Sequence, residues 1–409
     1  VFFILLPKSC MARLQVHTGL ESRAFVRVGT TCERLAMPST LALARLDTPA
    51  LVLDEARMMR NVRRLAERAQ ALNVTLRPHL KTAKSTDVAS RVLGGGPAPI
   101  TVSTLAEAEM FHAAGYSDIL YAVGIAPGKL ARVAALRAAG CDLKVILDSA
   151  VQAQAVAETG IPALIEIDSD GHRGGVSPDA AVLIEIGQIL HRANVLVGVM
   201  THAGESYTVS GAEAHAAFAE RERAACVQAA EALRAAGLPC PIVSVGSTPT
   251  AHAARDLAGV TELRAGVYMF FDLVMAGIEV CSLDDIALSV LTSVIGHQPD
   301  KGWILIDAGW MAMSRDRGTS AQRIDQGYGV VCDSDGQPYP DLIVSGCNQE
   351  HGVVSLRSGA SGSLPDLPVG TLLRILPNHA CATAAQFDHY NVLPEDGGSL
   401  RTWSRFRGW

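Results

Sequence analysis

Arg77-Pro78-His79-Leu80-Lys81-Thr82-Ala83-Lys84 is the stretch on which the reading of the chain turns. Ahead of it, Val74-Thr75-Leu76 reads as the apolar end of a strand; behind it, Ser85-Thr86-Asp87-Val88-Ala89 reads as the start of a helix. Lys81 therefore falls where a strand hands over to a helix. A strand entering a core should not end on an ammonium that is costly to desolvate, and burial there is expected to make Lys81 an amine nucleophile for a carbonyl. A solitary loop lysine would simply be solvated. This one gains weight because four later strand ends also carry residues capable of chemistry.

Outward from that stretch, short β-branched runs alternate with helical segments rich in Ala, Arg and Glu. Strands are expected over 50–54, 75–80, 100–104, 118–123, 142–148, 163–168, 195–201, 242–245 and 261–267, with helices such as 55–71, 105–114, 127–139 and 211–236 between them. Strands and helices alternating at this spacing imply parallel βαβ units. Nine strands are one too many for an eight-fold ring. The first, 50–54, is set outside it and the next eight form an α/β, TIM-like (β/α)8 barrel. No Gly-x-Gly-x-x-Gly follows a strand, which disfavours the competing doubly wound sheet. After about residue 281 the texture changes to short strands over 287–298, 302–307, 329–332, 342–345, 353–356 and 371–376, separated by Gly, Pro and Asp turns. That reads as a mostly antiparallel β domain. The expected organisation is a tail over 1–45, a barrel over 46–280 and the β domain over 281–409.

The composition agrees with a folded enzyme-sized chain of two domains. Of 409 residues, 49% are hydrophobic and 19% charged, the mean hydropathy is +0.22, and the net charge is -6 with a pI near 6.1. There is no block of like charge, which argues against nucleic acid or an anionic membrane as the main partner. No apolar run approaches the roughly 20 residues needed to span a bilayer. Nine cysteines without a Cys-x-x-Cys pair read as reduced intracellular thiols, so a cytoplasmic location is expected. The apolar opening Val1-Phe2-Phe3-Ile4-Leu5-Leu6 has no basic residue before it, unlike a secretory signal. Met37 is the expected natural start.

In a barrel of this kind, chemistry sits at the C-terminal ends of the strands. Those ends carry Lys81, then Asp168-Ser169-Asp170-Gly171-His172-Arg173-Gly174-Gly175, then Thr201-His202-Ala203-Gly204, Gly246-Ser247-Thr248 and Arg264-Ala265-Gly266-Val267-Tyr268. Gly246-Ser247-Thr248 leads into a helix, so backbone N–H groups and two hydroxyls are expected to face a phosphate. Gly266 lets the backbone approach the same ligand closely. A lysine on one strand and a phosphate cradle on the last two suggest pyridoxal 5′-phosphate held as a Schiff base.

These residues resemble the fold-type III pyridoxal-phosphate enzymes, the alanine racemase-like group, and within it the D-serine dehydratase and D-threonine aldolase family. The resemblance runs from about Leu46 to Trp409. It is carried by Asp47-Thr48-Pro49-Ala50, Arg77-Pro78-His79-Leu80-Lys81, Ser103-Thr104-Leu105-Ala106-Glu107-Ala108 and Ile306-Asp307-Ala308-Gly309. The D-threo-3-hydroxyaspartate dehydratase branch is the nearest match. It is marked by Val243-Ser244-Val245-Gly246-Ser247-Thr248-Pro249-Thr250, by Met311-Ala312-Met313-Ser314-Arg315-Asp316-Arg317-Gly318-Thr319, and by Pro377-Asn378-His379-Ala380-Cys381-Ala382-Thr383.

The resemblance implies that Lys81 is the Schiff-base lysine and general base. It places Arg173 near the cofactor's phenolic oxygen, His202 against the pyridine ring and Arg264 at the ring nitrogen. Ser247, Thr248, Gly266 and Tyr268 become phosphate contacts. Apart from the resemblance, Tyr207 is a candidate either for reaching the cofactor or for packing under a loop. His379 and Cys381 are read as two residues apart on one face of a strand, able to share a metal. In the family this pair binds a divalent ion; the thiolate favours zinc, with manganese or magnesium as alternatives. Arg315 and Arg317 are candidates for clamping a second substrate carboxylate, and His351 for lining the site. The implied activity is elimination of water from a D-3-hydroxy amino acid, D-threo-3-hydroxyaspartate to oxaloacetate and ammonia first, by a homodimer. D-Serine dehydration and retro-aldol cleavage to glycine and an aldehyde are the alternatives. A non-catalytic cofactor carrier is disfavoured by the β domain and the metal pair.

Overall fold

The computed structural model describes residues 43–96 and 98–409; the expected start at Met37 and the tail before it lie outside the described residues. Eight parallel strands form the first sheet. They are β2 (Thr75–Pro78), β3 (Ile100–Val102), β4 (Asp118–Gly124), β5 (Asp142–Leu147), β6 (Ala163–Ile167), β7 (Leu196–Thr201), β8 (Ile242–Val245) and β9 (Glu262–Ala265), counted after β1 (Ala50–Asp54). Their order is β2-β9-β8-β7-β6-β5-β4-β3, and a parallel bridge between His79 and Thr101 brings the two ends together. Leu80 N–H donates to the Thr101 carbonyl at 2.9 Å across that seam. The ring therefore closes at the residues immediately before Lys81. The expected (β/α)8 barrel is present.

Alternation along each strand sorts the side chains between barrel lumen and helix layer. Leu120, Ile146, Leu164 and Met200 make a small apolar cluster inside. The far end of the lumen is polar instead. Arg77 bonds Glu262 at 2.5 Å and Asp118 at 3.0 Å, and Lys144 reaches Asp118 at 2.9 Å. The helices cover the outside. Glu55–Ala71, capped by the Asp54 carboxylate on Arg57 N–H, buries Met58, Val62 and Leu65.

The second sheet is larger than expected. It contains β10 (Leu288–Gln298), β11 (Trp303–Ile306), β12 (Gly329–Cys332), β13 (Pro338–Cys347), β14 (Gly352–Leu356), β15 (Leu372–Pro377), β16 (His389–Leu393) and β17 (Arg401–Ser404). The order is β11-β14-β13-β12-β15-β10-β1-β16-β17, and β11 also pairs with β10, so six of the strands close on themselves. β1, which the pattern left outside the ring, lies between β10 and β16 in this sheet. The β domain is thus built from both ends of the described chain. Among the described residues no helix is long and apolar enough to cross a membrane, and every cysteine is a free thiol.

Candidate active site

A cavity of about 460 Å³ opens at the C-terminal ends of the barrel strands, within the size range of small-molecule sites. Lys81, Arg173, His202, Tyr207, Gly246, Ser247, Thr248, Arg264, Gly266, His379 and Cys381 all line it. The sequence had placed them on seven separated segments.

Lys81 sits in a turn three residues past the end of β2, where Lys84 N–H donates to the Leu80 carbonyl at 2.9 Å. Its side chain stands exposed in the cavity, not desolvated as expected from its place at a strand end. The turn, not the strand, delivers it. His79, two residues earlier, is held between burial and nearby charge: desolvation, with Lys81 and Arg264 close by, pushes its imidazole well below the ordinary value. Its Nδ1 is buried without a partner.

His202 follows β7 and donates Nδ1–H to the Gly246 carbonyl at 3.2 Å. Burial, then the charges of Lys81 and Arg173, lower its pKa to about 3, so the ring is neutral. Tyr207 closes the short helical turn Gly204–Tyr207 with its ring centroid 6.3 Å from that of His202. Arg264 on β9 is buried, anchored by the Ser244 hydroxyl at 2.7 Å and the Thr201 carbonyl. Arg173 lies exposed at the cavity wall.

The segment expected to cradle a phosphate uses most of its polar groups on internal bonds. Ser247 caps the helix Thr248–Ala253 and spends its groups inward: N–H on the Thr250 hydroxyl at 2.9 Å, Oγ on Ser206 and Thr250, each at 2.9 Å. Gly246 N–H goes to Glu222 at 3.0 Å. The hydroxyl left over is that of Thr248, buried and without a partner. A Cβ on Gly266 would lie 3.2 Å from the His79 carbonyl, and one on Gly246 would overlap the Arg264 backbone. Tyr268, the remaining expected contact, stands apart from the others. Its ring is fully buried in the turn after β9, is absent from the cavity wall, and its hydroxyl has no partner.

His379 and Cys381 come together, but not on a strand. β15 ends at Pro377, and the Asn378 side chain ties the chain away from the sheet through the Thr319 hydroxyl at 2.7 Å and the Gly327 carbonyl at 2.6 Å. The Ala-rich run that follows turns helical over Ala380–Ala384, with the buried Asp272 carboxylate accepting Ala380 N–H at 3.0 Å. His379 is the residue before that helix and Cys381 is in its first turn. Asp316 accepts a hydrogen bond from His379 Nδ1 at 2.7 Å. Burial alone would depress the imidazole; Asp316 and Cys381 outweigh it and raise its pKa to about 11. Burial likewise opposes ionisation of Cys381, but His379, Lys81 and the Thr82 hydroxyl, 3.1 Å from Sγ, lower its pKa overall. The two side chains share the cavity wall with Lys81. No group of three or more His, Cys, Asp or Glu side chains placed to hold a metal occurs among the described residues.

Three expected substrate residues lie elsewhere. Arg317 pairs with Asp325 at 2.7 Å and lies over the Tyr328 ring, Arg315 stacks on Trp310, and His351 is exposed in the β13–β14 turn; none lines the cavity. Conversely, His79, His172, Asp272 and Asp316 line it and were not singled out. His79 sat inside the very stretch that was read first, and Asp316 between the two arginines that drew notice.

Comparison with known proteins agrees with this fold. The alanine racemase N-terminal domain model matches residues 53–274, and a putative serine dehydratase domain model matches 287–393. A D-threo-3-hydroxyaspartate dehydratase from Delftia sp. is 58% identical over 377 residues, covering 90% of this chain and 99% of that protein. Its solved structure superposes with a TM-score of 0.87 over 90% of this chain and 100% of that one, at 57% identity. A cysteine-to-alanine variant of a D-threo-3-hydroxyaspartate dehydratase, solved in a metal-free form, gives the same score. A D-threonine aldolase from Arthrobacter sp. is 32% identical across 88% of this chain and 92% of its own. The chain belongs to the pyridoxal-phosphate-dependent, alanine racemase-like family whose barrel is joined to a serine dehydratase domain.

Proposed function

We propose that this protein is a pyridoxal-phosphate- and metal-dependent lyase that removes water from a D-3-hydroxy amino acid, with D-threo-3-hydroxyaspartate as the preferred substrate. The observation that carries the reading is that the Lys81 amine and the His379–Cys381 pair share one cavity. The residues fit the cofactor. The orphaned Thr248 hydroxyl and the glycine floor at Gly266 suit its phosphate, and the lone Nδ1 of His79 supplies a further polar atom. The donor set of one imidazole and one thiolate suits a divalent ion of zinc type, with manganese or magnesium as alternatives, and leaves positions for substrate.

When bound through Lys81, pyridoxal phosphate supplies the electron sink that makes the substrate α-proton removable. The Lys81 amine, free in the cavity, would take that proton. His202, neutral and fixed by the Gly246 carbonyl, would offer a flat uncharged face to the pyridine ring. Arg264, buried and anchored, would face the ring nitrogen, and Arg173, on the cavity wall, would lie near the phenolic oxygen. His379 and Cys381 would hold the divalent ion, whose Lewis acidity assists departure of the 3-hydroxyl. The released enamine tautomerises to an imine and takes up water, giving oxaloacetate and ammonia.

The test is product analysis on D-threo-3-hydroxyaspartate, D-serine and D-threonine, with and without a chelator. Oxaloacetate plus ammonia, lost on chelation and restored by metal, is the expected result. Glycine plus an aldehyde would replace dehydration by retro-aldol cleavage. We carry a homodimer as part of the proposal; light scattering that returned the mass of a single 43.1 kDa chain would remove it.

A further inference from the structure

Glu222 lies in the run Glu220-Arg221-Glu222-Arg223 of the long helix Ala212–Ala235, a sequence that reads as a solvated face. The helix sorts these residues otherwise. Arg223 pairs with Glu220 at 2.6 Å on the outside, while Glu222 is 2% exposed and points between two barrel strands. One carboxylate oxygen accepts Ala203 N–H at 2.9 Å and Gly246 N–H at 3.0 Å; the other accepts the Thr250 hydroxyl at 2.7 Å.

Those partners belong to the loop after β7 and the loop after β8. Ala203 is next to His202. The Gly246 carbonyl receives His202 Nδ1–H, and Thr250 is the partner that fixes Ser247 and so the start of the Thr248 helix. Ser206 Oγ, 2.9 Å from Ser247 Oγ, donates to the Ala203 carbonyl at 2.7 Å and closes the network. One buried carboxylate, without touching the cavity, joins the segment bearing the ring-facing histidine to the segment bearing the free threonine hydroxyl. A buried carboxylate is costly unless its acceptor sites are filled, and three donors from two loops fill them. The arrangement is therefore stable only when both loops are in this register.

We propose that Glu222 is a positioning residue for the cofactor, setting His202 and Thr248 at a fixed separation. This rests on the reading of the cavity as a pyridoxal phosphate site. The test uses the full chain stripped of cofactor and titrated with pyridoxal phosphate, following visible absorbance and circular dichroism, with thermal melts in parallel. Glu222→Gln puts an amide donor against donors; it is expected to weaken cofactor affinity at least about tenfold and to change the induced dichroism. Thr250→Val keeps the carboxylate but removes one donor and is expected to shift both in the same direction, by less; it carries the test if Glu222→Gln does not fold. Asp118→Asn, at the opposite end of the barrel, is expected to lower the melting temperature and leave cofactor affinity unchanged. Variants at 222 and 250 that melt early but bind the cofactor with unaltered affinity and dichroism would overturn the proposal. If the unaltered protein itself binds no pyridoxal phosphate, the reading of the cavity falls first and this inference with it.

Discussion

At His379, two opposing influences meet within one side chain. Desolvation favours the neutral ring, whereas Asp316 at Nδ1 and Cys381 favour its protonated form and outweigh burial. A carboxylate on one ring nitrogen also fixes which way the ring faces and raises its basicity as a ligand, the arrangement common behind metal-bound histidines. Asp316→Asn keeps an acceptor oxygen but loses the charge. We expect about 10- to 100-fold weaker metal affinity, read by competition with a chromophoric chelator; equal affinity would mean that Asp316 serves packing alone. Lys81 makes a different kind of prediction, because its amine is exposed in the cavity. Borohydride reduction of the loaded protein should fix the cofactor covalently to the peptide that contains Lys81, and Lys81→Ala should abolish the label. A label on Lys84 instead would move the attachment point.

At the scale of elements, the turn that presents Lys81 is held from the β domain. The Tyr390 hydroxyl on β16 donates to the Ala83 carbonyl at 2.7 Å and accepts Arg405 Nε at 2.9 Å. Phe406 N–H donates to the Lys84 carbonyl at 2.9 Å. Tyr390→Phe removes both hydroxyl bonds in a buried place and should cost about 1–2 kcal/mol in urea unfolding; no change in midpoint would show that Arg405 alone suffices. This clamp was not read from the sequence: 389–393 and 401–404 are short and carry polar residues, and although Asp396-Gly397-Gly398 between them marks a turn, nothing local says that the hairpin it makes reaches the Lys81 turn. The barrel strands were legible, because strands buried on both faces write continuous β-branched runs between amphipathic helices. The partner of β1 was not, because pairing across more than two hundred residues leaves no local mark. The His379–Cys381 pair was recognised for the wrong geometric reason. A spacing of two suits a strand, yet Asn378 and the alanines after it make a helix start that still converges the side chains. Glu222 and Asp316 were missed for one reason: a carboxylate flanked by arginines looks the same in sequence whether it faces water or donors inside the protein, backbone amides for Glu222 and the His379 ring for Asp316.

For the molecule as a whole, the site draws residues from both sheets, and that joins its chemistry to its stability. Four histidines, His79, His202, His215 and His252, have pKa values depressed chiefly by burial, His202 and His252 to about 3. In the unfolded chain they titrate near 6.5, so below that pH the unfolded state binds more protons than the folded one. Their contribution is complete above about pH 6.5 and is lost as pH falls towards 3. The cofactor-free protein should therefore lose melting temperature steadily over that window, and His252→Leu, away from the cavity wall, should flatten the profile; a flat profile for the unaltered protein would contradict the buried neutral histidines. Metal acts in the opposite direction and across domains. His379 and Cys381 follow β15 of the β domain, while Thr82, 3.1 Å from the Cys381 sulfur, belongs to the Lys81 turn of the barrel. An ion held by that pair binds the folded state only, and at a free concentration a hundredfold above its Kd it adds about 2.7 kcal/mol. The expected result is a rise in melting temperature with added zinc that is absent in His379→Ala and Cys381→Ala, while both variants keep pyridoxal phosphate. A zinc-dependent rise that survives in both variants would place the ion elsewhere. A rise lost together with the cofactor would mean that the pair supports the cofactor loops and not a separate metal centre.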